Sequence, residues 1–157
     1  MTPELRDSFK IDRTGWEPGP WDSEPDRIDF RHADLPCLML RNDSGGWCGY
    51  AGVPPGHPLY GKNAEAAERA GVPAHREVNY AGACEGMICH VPEPGEPDEV
   101  WWFGFDCIHL SSDRAPGFDA RAKTIGLAMQ FGGTYRDVAY VRGVVQEMAE
   151  ALAALAQ

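Results

Sequence analysis

Three segments in the first third of the chain have the pattern of strands. Ile28 and Phe30 alternate with polar neighbours, Cys37 to Arg41 is an apolar run, and Trp47 to Val53 is a second run that includes glycine. Turn residues bound all three, and the spacing predicts antiparallel strands with Asn42 to Gly46 as a hairpin loop. Asn63 to Ala70 then combines strong helix formers with an Asn at the N-cap position, and Gly71 and Pro73 lie just past its end, which predicts a short helix. Glu77 to Ala81 and Met87 to Val91 are two further strand candidates, and the Pro-rich PEPGEPDE before Val100 reads as a surface loop. The run VWWFGFDC, Val100 to Cys107, is apolar on both faces and so predicts a central strand.

The last third has helical spacing. Val138, Val141, Val145, Met148, Leu152 and Leu155 fall three and four apart on one face, which must pack on something, most simply the sheet. Thr134 and Asp137 stand in the capping-box relation that would open this helix. Phe118 to Phe131 reads as an additional helix closed by Gly132 and Gly133, with Gly126 a weak point inside it. Strands first and a long helix last place the chain in the α+β class: a single domain, mostly antiparallel sheet packed against a C-terminal helix.

At 157 residues the chain is the size of one domain and long enough to bury a core without staples. Glycine (18) and proline (13) together make up about a fifth of it, which implies much loop. Residues 1–26 carry Pro3, Pro18, Pro20 and Pro25 among acids and read as an extended arm, pinned by Trp16 and Trp21, in front of an α+β domain spanning 27–157. The net charge of −10 and the lack of a basic stripe argue against non-specific nucleic-acid binding. Val100 to Phe105 and Ala151 to Ala156, the longest apolar runs, are too short to cross a bilayer, and the N-terminus has no signal-peptide pattern. Five cysteines without C-x-x-C spacing fit reduced intracellular thiols, so the expected location is cytoplasmic.

The main chemical clue is Asp106, which ends the apolar run where a carboxylate needs a partner. His109 follows it with two residues between. His57, in the Gly/Pro loop after Val53, would reach both if the strands 47–53 and 100–107 are neighbours. His57, Asp106 and His109 would then form a His/His/carboxylate set with an open position, as a catalytic zinc or non-haem iron site requires. In that scheme His57 and Asp106 carry the chemistry: the metal lowers the pKa of its bound water, Asp106 is ligand or base, and the reaction is hydrolysis. Alternatively Asp106 bonds loop amides, or Cys107 or Cys48 serves as a thiolate nucleophile beside a histidine. Lys62, Tyr60 and Trp102 are the substrate-binding candidates, a cation and two aromatics able to flank a flat or anionic ligand. The segment Gly56 to Lys62 matches G-x-x-x-x-G-K, but Asn63 stands where a P-loop needs Ser or Thr and Pro58 removes a cradle N–H, so it is not read as one.

GVPPGHPLYGK (52–62), VWWFGFDCIH (100–109) and TYRDVAYVRGVVQEMA (134–149) resemble the ordered motifs of a family of small proteins encoded in bacteriophage, prophage and bacterial genomes. The similarity spans most of residues 37–155. It implies a small accessory protein with no particular activity attached, and it matches His57, Asp106 and His109. It also implies a histidine before a Tyr-containing strand, here His75, although Arg76 and Glu77 replace the two glycines that more often follow it. Two functions are therefore expected: a metal-dependent hydrolase acting on a small molecule, or a non-catalytic acidic module that binds or inhibits a protein partner.

Overall fold

In a computed structural model, which describes residues 1–126 and 133–157, the chain builds a five-stranded, wholly antiparallel sheet. The strands are β1 (Arg27–His32), β2 (Leu35–Arg41), β3 (Trp47–Val53), β4 (Tyr80–Gly82) and β5 (Trp101–Asp106), in the order β1-β2-β3-β5-β4. Period-two alternation sorts the side chains. Cys37, Met39, Trp47, Ala51, Val53, Phe103 and Phe105 face one way and pack against Val141, Val145, Met148, Ala149 and Leu152 of the long helix α4 (Val138–Leu155). This is the α+β domain and the helix-on-sheet packing that the apolar stripe predicts.

On the other face Leu38, Leu40, Tyr50, Val100 and Trp102 form a second cluster, covered by Phe9 of the arm and by Met87 and Ile88. β5 is therefore buried on both sides and lies between β3 and β4, as its apolar run requires, although the middle strand of the five is β3. Gly104 keeps β5 close to its neighbour, because a Cβ there would sit 2.3 Å from the Tyr50 ring.

The N-terminal arm contains the short helix α1 (Pro3–Asp7) and a 3-10 turn over Pro20–Ser23 that buries Trp21. Its anchor is ionic. Arg41, fully buried on β2, donates to Asp26, Glu24, the Gly45 carbonyl and the Tyr135 hydroxyl, and lies 4.3 Å over the Trp47 ring. Glu24 accepts in turn from Tyr135 and from the Val138 N–H at the start of α4. The arm thus completes the helix cap.

Several expectations need correction. The first N–H groups of α4 are capped by Asp137, whose carboxylate accepts from the Tyr140 N–H. Thr134 is not the cap, because its backbone runs in a parallel bridge beside Asp113. The helix expected over Phe118 to Phe131 is α3 (Pro116–Thr124), and its remainder lies outside the described residues beyond Gly126. Residues 87–91 form no strand, since the Met87 and Cys89 carbonyls accept from the Arg27 guanidinium instead of from a neighbouring strand. Cys84 and Cys89 form a disulfide, so only Cys37, Cys48 and Cys107 are free thiols. The short helix α2 (Ala64–Arg69) is as expected, with Asn63 as its N-cap. No helix among the described residues is long and apolar enough to cross a membrane.

Candidate active site

The strands 47–53 and 100–107 are neighbours, as the proposed triad of His57, Asp106 and His109 needed, but they are antiparallel. Val53 pairs with Trp101 while Cys48 pairs with Asp106. The loop after β3 is therefore delivered to the start of β5, five residues and about 17 Å of strand away from Asp106. His57 does not meet Asp106. It is instead a brace: the Leu59 N–H donates to Nδ1 at 3.0 Å and Nε2 donates to the Leu152 carbonyl at 2.7 Å, which ties the loop to the end of α4.

Lys62 and Tyr60 share that end of the sheet. The Lys62 carbonyl accepts from the Trp101 indole at 2.7 Å and the Tyr60 ring lies 6.0 Å from that of Trp101. Trp102 is fully buried in the second core cluster, with its ring edge-on to His90. None of the three faces Asp106.

Asp106 and His109 do come together, with the carboxylate 3.5 Å from Nε2, and Asp106 also accepts from Asn79 (2.7 Å) and from the Ile108 N–H (3.3 Å). Its burial is relieved by these loop donors. Among the described residues no three His, Cys, Asp or Glu side chains gather as a metal-ligand group. The thiols are no better placed as nucleophiles. Burial, with Asp106 nearby, pushes Cys48 up to about 12, and burial with Asp113 nearby pushes Cys107 higher still, so both remain protonated.

A different set converges beside Asp106 and His109. His75, in the loop between α2 and β4, is 5% exposed, and its Nε2 lies 2.9 and 3.0 Å from the two oxygens of Asp113. Its Nδ1 lies 2.7 Å from the hydroxyl of Tyr140, in the first turn of α4, which is 39% exposed. A carboxylate only accepts, so Nε2 carries the proton. In the neutral ring Nδ1 is then the acceptor and Tyr140 the donor.

Asp113 is held from several sides. Arg136 Nε donates to it at 2.9 Å, the His109 N–H at 3.0 Å, and Gly133 passes so close that a Cβ would sit 2.4 Å from the Asp113 carbonyl oxygen. Burial alone would raise this carboxyl. Arg136, the His109 N–H and His75 together outweigh burial and hold it below the usual range, so Asp113 stays ionised. Burial raises the Tyr140 phenol, with nearby Asp113 adding to the effect against an opposing pull from Arg136, so Tyr140 keeps its proton at neutral pH.

Two basic groups flank this relay. The Arg136 guanidinium lies 5.0 Å from the Tyr140 ring centroid and donates Nη2 to the Ser112 carbonyl. Arg76 reaches the Ser111 and Ser112 hydroxyls at 3.3 and 3.2 Å. Its backbone has φ +66°, a left-handed conformation that costs a side-chain-bearing residue about 1–2 kcal/mol and glycine nothing.

Sequence reasoning set His75 aside and missed Asp113, Arg136 and Tyr140. The available signal was Tyr140 itself, a large polar aromatic at the start of α4 but off its apolar stripe. Compared with family models, curated proteins and solved structures, the chain matches none, and its chemistry is read from geometry alone.

Proposed function

We propose that the protein is a small hydrolase whose proton-transfer unit is Tyr140–His75–Asp113. The observation that carries this reading is a single imidazole bridging a buried, ionised carboxylate and a solvent-reaching phenol. In hydrolysis an attacking water gives its proton to the Tyr140 oxygen as the phenolic proton passes to His75 Nδ1. Asp113 stabilises the resulting imidazolium, and the proton returns through Tyr140 to the leaving group. The unit uses no metal, so the zinc or iron expected for the His57 set has no part in it.

Turnover of a panel of p-nitrophenyl esters tests the proposal. Tyr140→Phe, which removes only the hydroxyl, should lower the rate about 10²- to 10⁴-fold and leave the fold intact. No turnover above buffer, or equal turnover by Tyr140→Phe, overturns it. The alternative, an acidic protein-binding module, rests on the net charge of −10. Such a module would be indifferent to Tyr140→Phe and would lose its partner on reversal of surface charge. In a cytoplasmic setting the Cys84–Cys89 bond would be reduced, and because it lies away from His75 in the fold, turnover should be the same with and without dithiothreitol.

A further inference from the structure

Of the 14 basic residues five make no ion pair among the described residues, Lys10, Lys62, Arg76, Arg121 and Arg142, and of these Arg76 is the one next in sequence to His75. It is exposed, it follows His75 directly, and one Nη1 reaches the Ser111 and Ser112 hydroxyls by long contacts, leaving Nη2 and Nε uncommitted. Arg136 reaches the same turn at the Ser112 carbonyl. It gives Nε to Asp113 and Nη2 to the Ser112 carbonyl, and its Nη1 is left over. Two guanidinium groups thus bond one short turn, Arg76 at its two serine hydroxyls and Arg136 at the Ser112 carbonyl, and Arg136 also lies against the ring whose phenol moves the proton. A carboxylate has two oxygens to offer this set, whereas a phosphoryl group has three and carries more charge.

We propose that Arg76, with Arg136 and the 111–112 turn, binds a phosphoryl group, so that the substrate is a small phosphate-bearing molecule held by that group while Tyr140 acts on a neighbouring bond. This rests on the acid–base reading of the same site. Arg76 is then a positioning and specificity residue. Its left-handed backbone is part of the inference, because glycine would take that conformation without strain and would supply no guanidinium.

The test is an NMR titration of backbone amides with inorganic phosphate, and in parallel with acetate, at constant ionic strength. The proteins are the wild type, Arg76→Gly, Arg76→Lys and, as a control, Arg69→Gln in α2. Phosphate should saturate with shifts at residues 76 and 109–113, and should bind more tightly than acetate. Arg76→Gly should weaken it roughly 10- to 100-fold. The same variant should melt about 2–4 °C higher, from the strain released. Arg76→Lys should fall between, while Arg69→Gln should bind as the wild type does.

Failure of phosphate to saturate, equal binding by Arg76→Gly or by acetate, or a lower melting temperature for Arg76→Gly would each overturn the proposal, the last by making the guanidinium a structural tie. The two readings fail separately. If phosphate binds as expected while Tyr140→Phe still turns over esters, the relay falls. If Tyr140→Phe is inactive and phosphate does not bind, only the phosphoryl assignment falls.

Discussion

His57 and His75 are almost equally hidden, at 7% and 5% exposure, and each uses both ring nitrogens, but they end on different kinds of atom. At the Trp101 end of the sheet, His57 bonds a backbone N–H and a backbone carbonyl, neither of which is a general acid or base. At the Asp106 end, His75 bonds a carboxylate and a phenol, and the phenol reaches solvent. Burial and hydrogen bonding alone therefore do not mark a functional histidine. The titratable character of its partners, and a path outwards, separate a relay from a brace.

The sharpest challenge to this contrast is Asp113→Ala. It leaves Arg136 and His75 without their shared carboxylate in a buried setting, and should destabilise the fold by about 3–5 kcal/mol in denaturant unfolding while abolishing turnover. A loss below about 1 kcal/mol would mean that the carboxylate is not carrying the network.

His57→Ala should behave oppositely in kind. Orphaning the Leu152 carbonyl and the Leu59 N–H should cost about 1–3 kcal/mol, with the rate per folded molecule unchanged. A rate loss comparable to that of Tyr140→Phe would erase the distinction between the two ends.

The smallest effect concerns pH and a third buried histidine. Burial, then the N-terminal ammonium, then Arg31 lower the pKa of His90, and both of its ring nitrogens lack a hydrogen-bond partner among the described residues. The folded state therefore keeps this ring neutral where the unfolded chain would charge it. Stability should be fully present above the unfolded value near 6.5 and should fall as pH drops from there towards the depressed folded value. His90→Phe should flatten the melting-temperature profile below about pH 6.5. An unchanged slope would remove His90 as its source.

Much of the fold was legible in the alternation of side chains. The strands at 27–32, 35–41, 47–53 and 101–106, the hairpin at 42–46, the short helix after Asn63 and the apolar stripe of α4 all follow from period and turn chemistry, which act locally. The neighbouring of β3 and β5 entered only as a condition for the His57 triad, and the register meets it. The site was legible only in part, because Asp106 and His109 are close in sequence and a turn brings them together, whereas His75, Asp113 and the pair Arg136 and Tyr140 come from three separate stretches. Met87 to Val91 misled because the Met87 and Cys89 carbonyls go to Arg27, 60 and 62 residues away. Cys84 and Cys89 misled because spacing does not show which thiols a loop will bring into contact.

The amino-acid sequence by itself determined the class of fold, the identity of most elements and which faces are apolar, since these depend on propensity and periodicity over a few residues. Only the tertiary structure decided the direction in which β5 runs beside β3, and with it which histidine stands by Asp106. Direction and loop closure are set by which packing buries the most apolar surface at the least chain entropy, and that balance is struck over the whole chain.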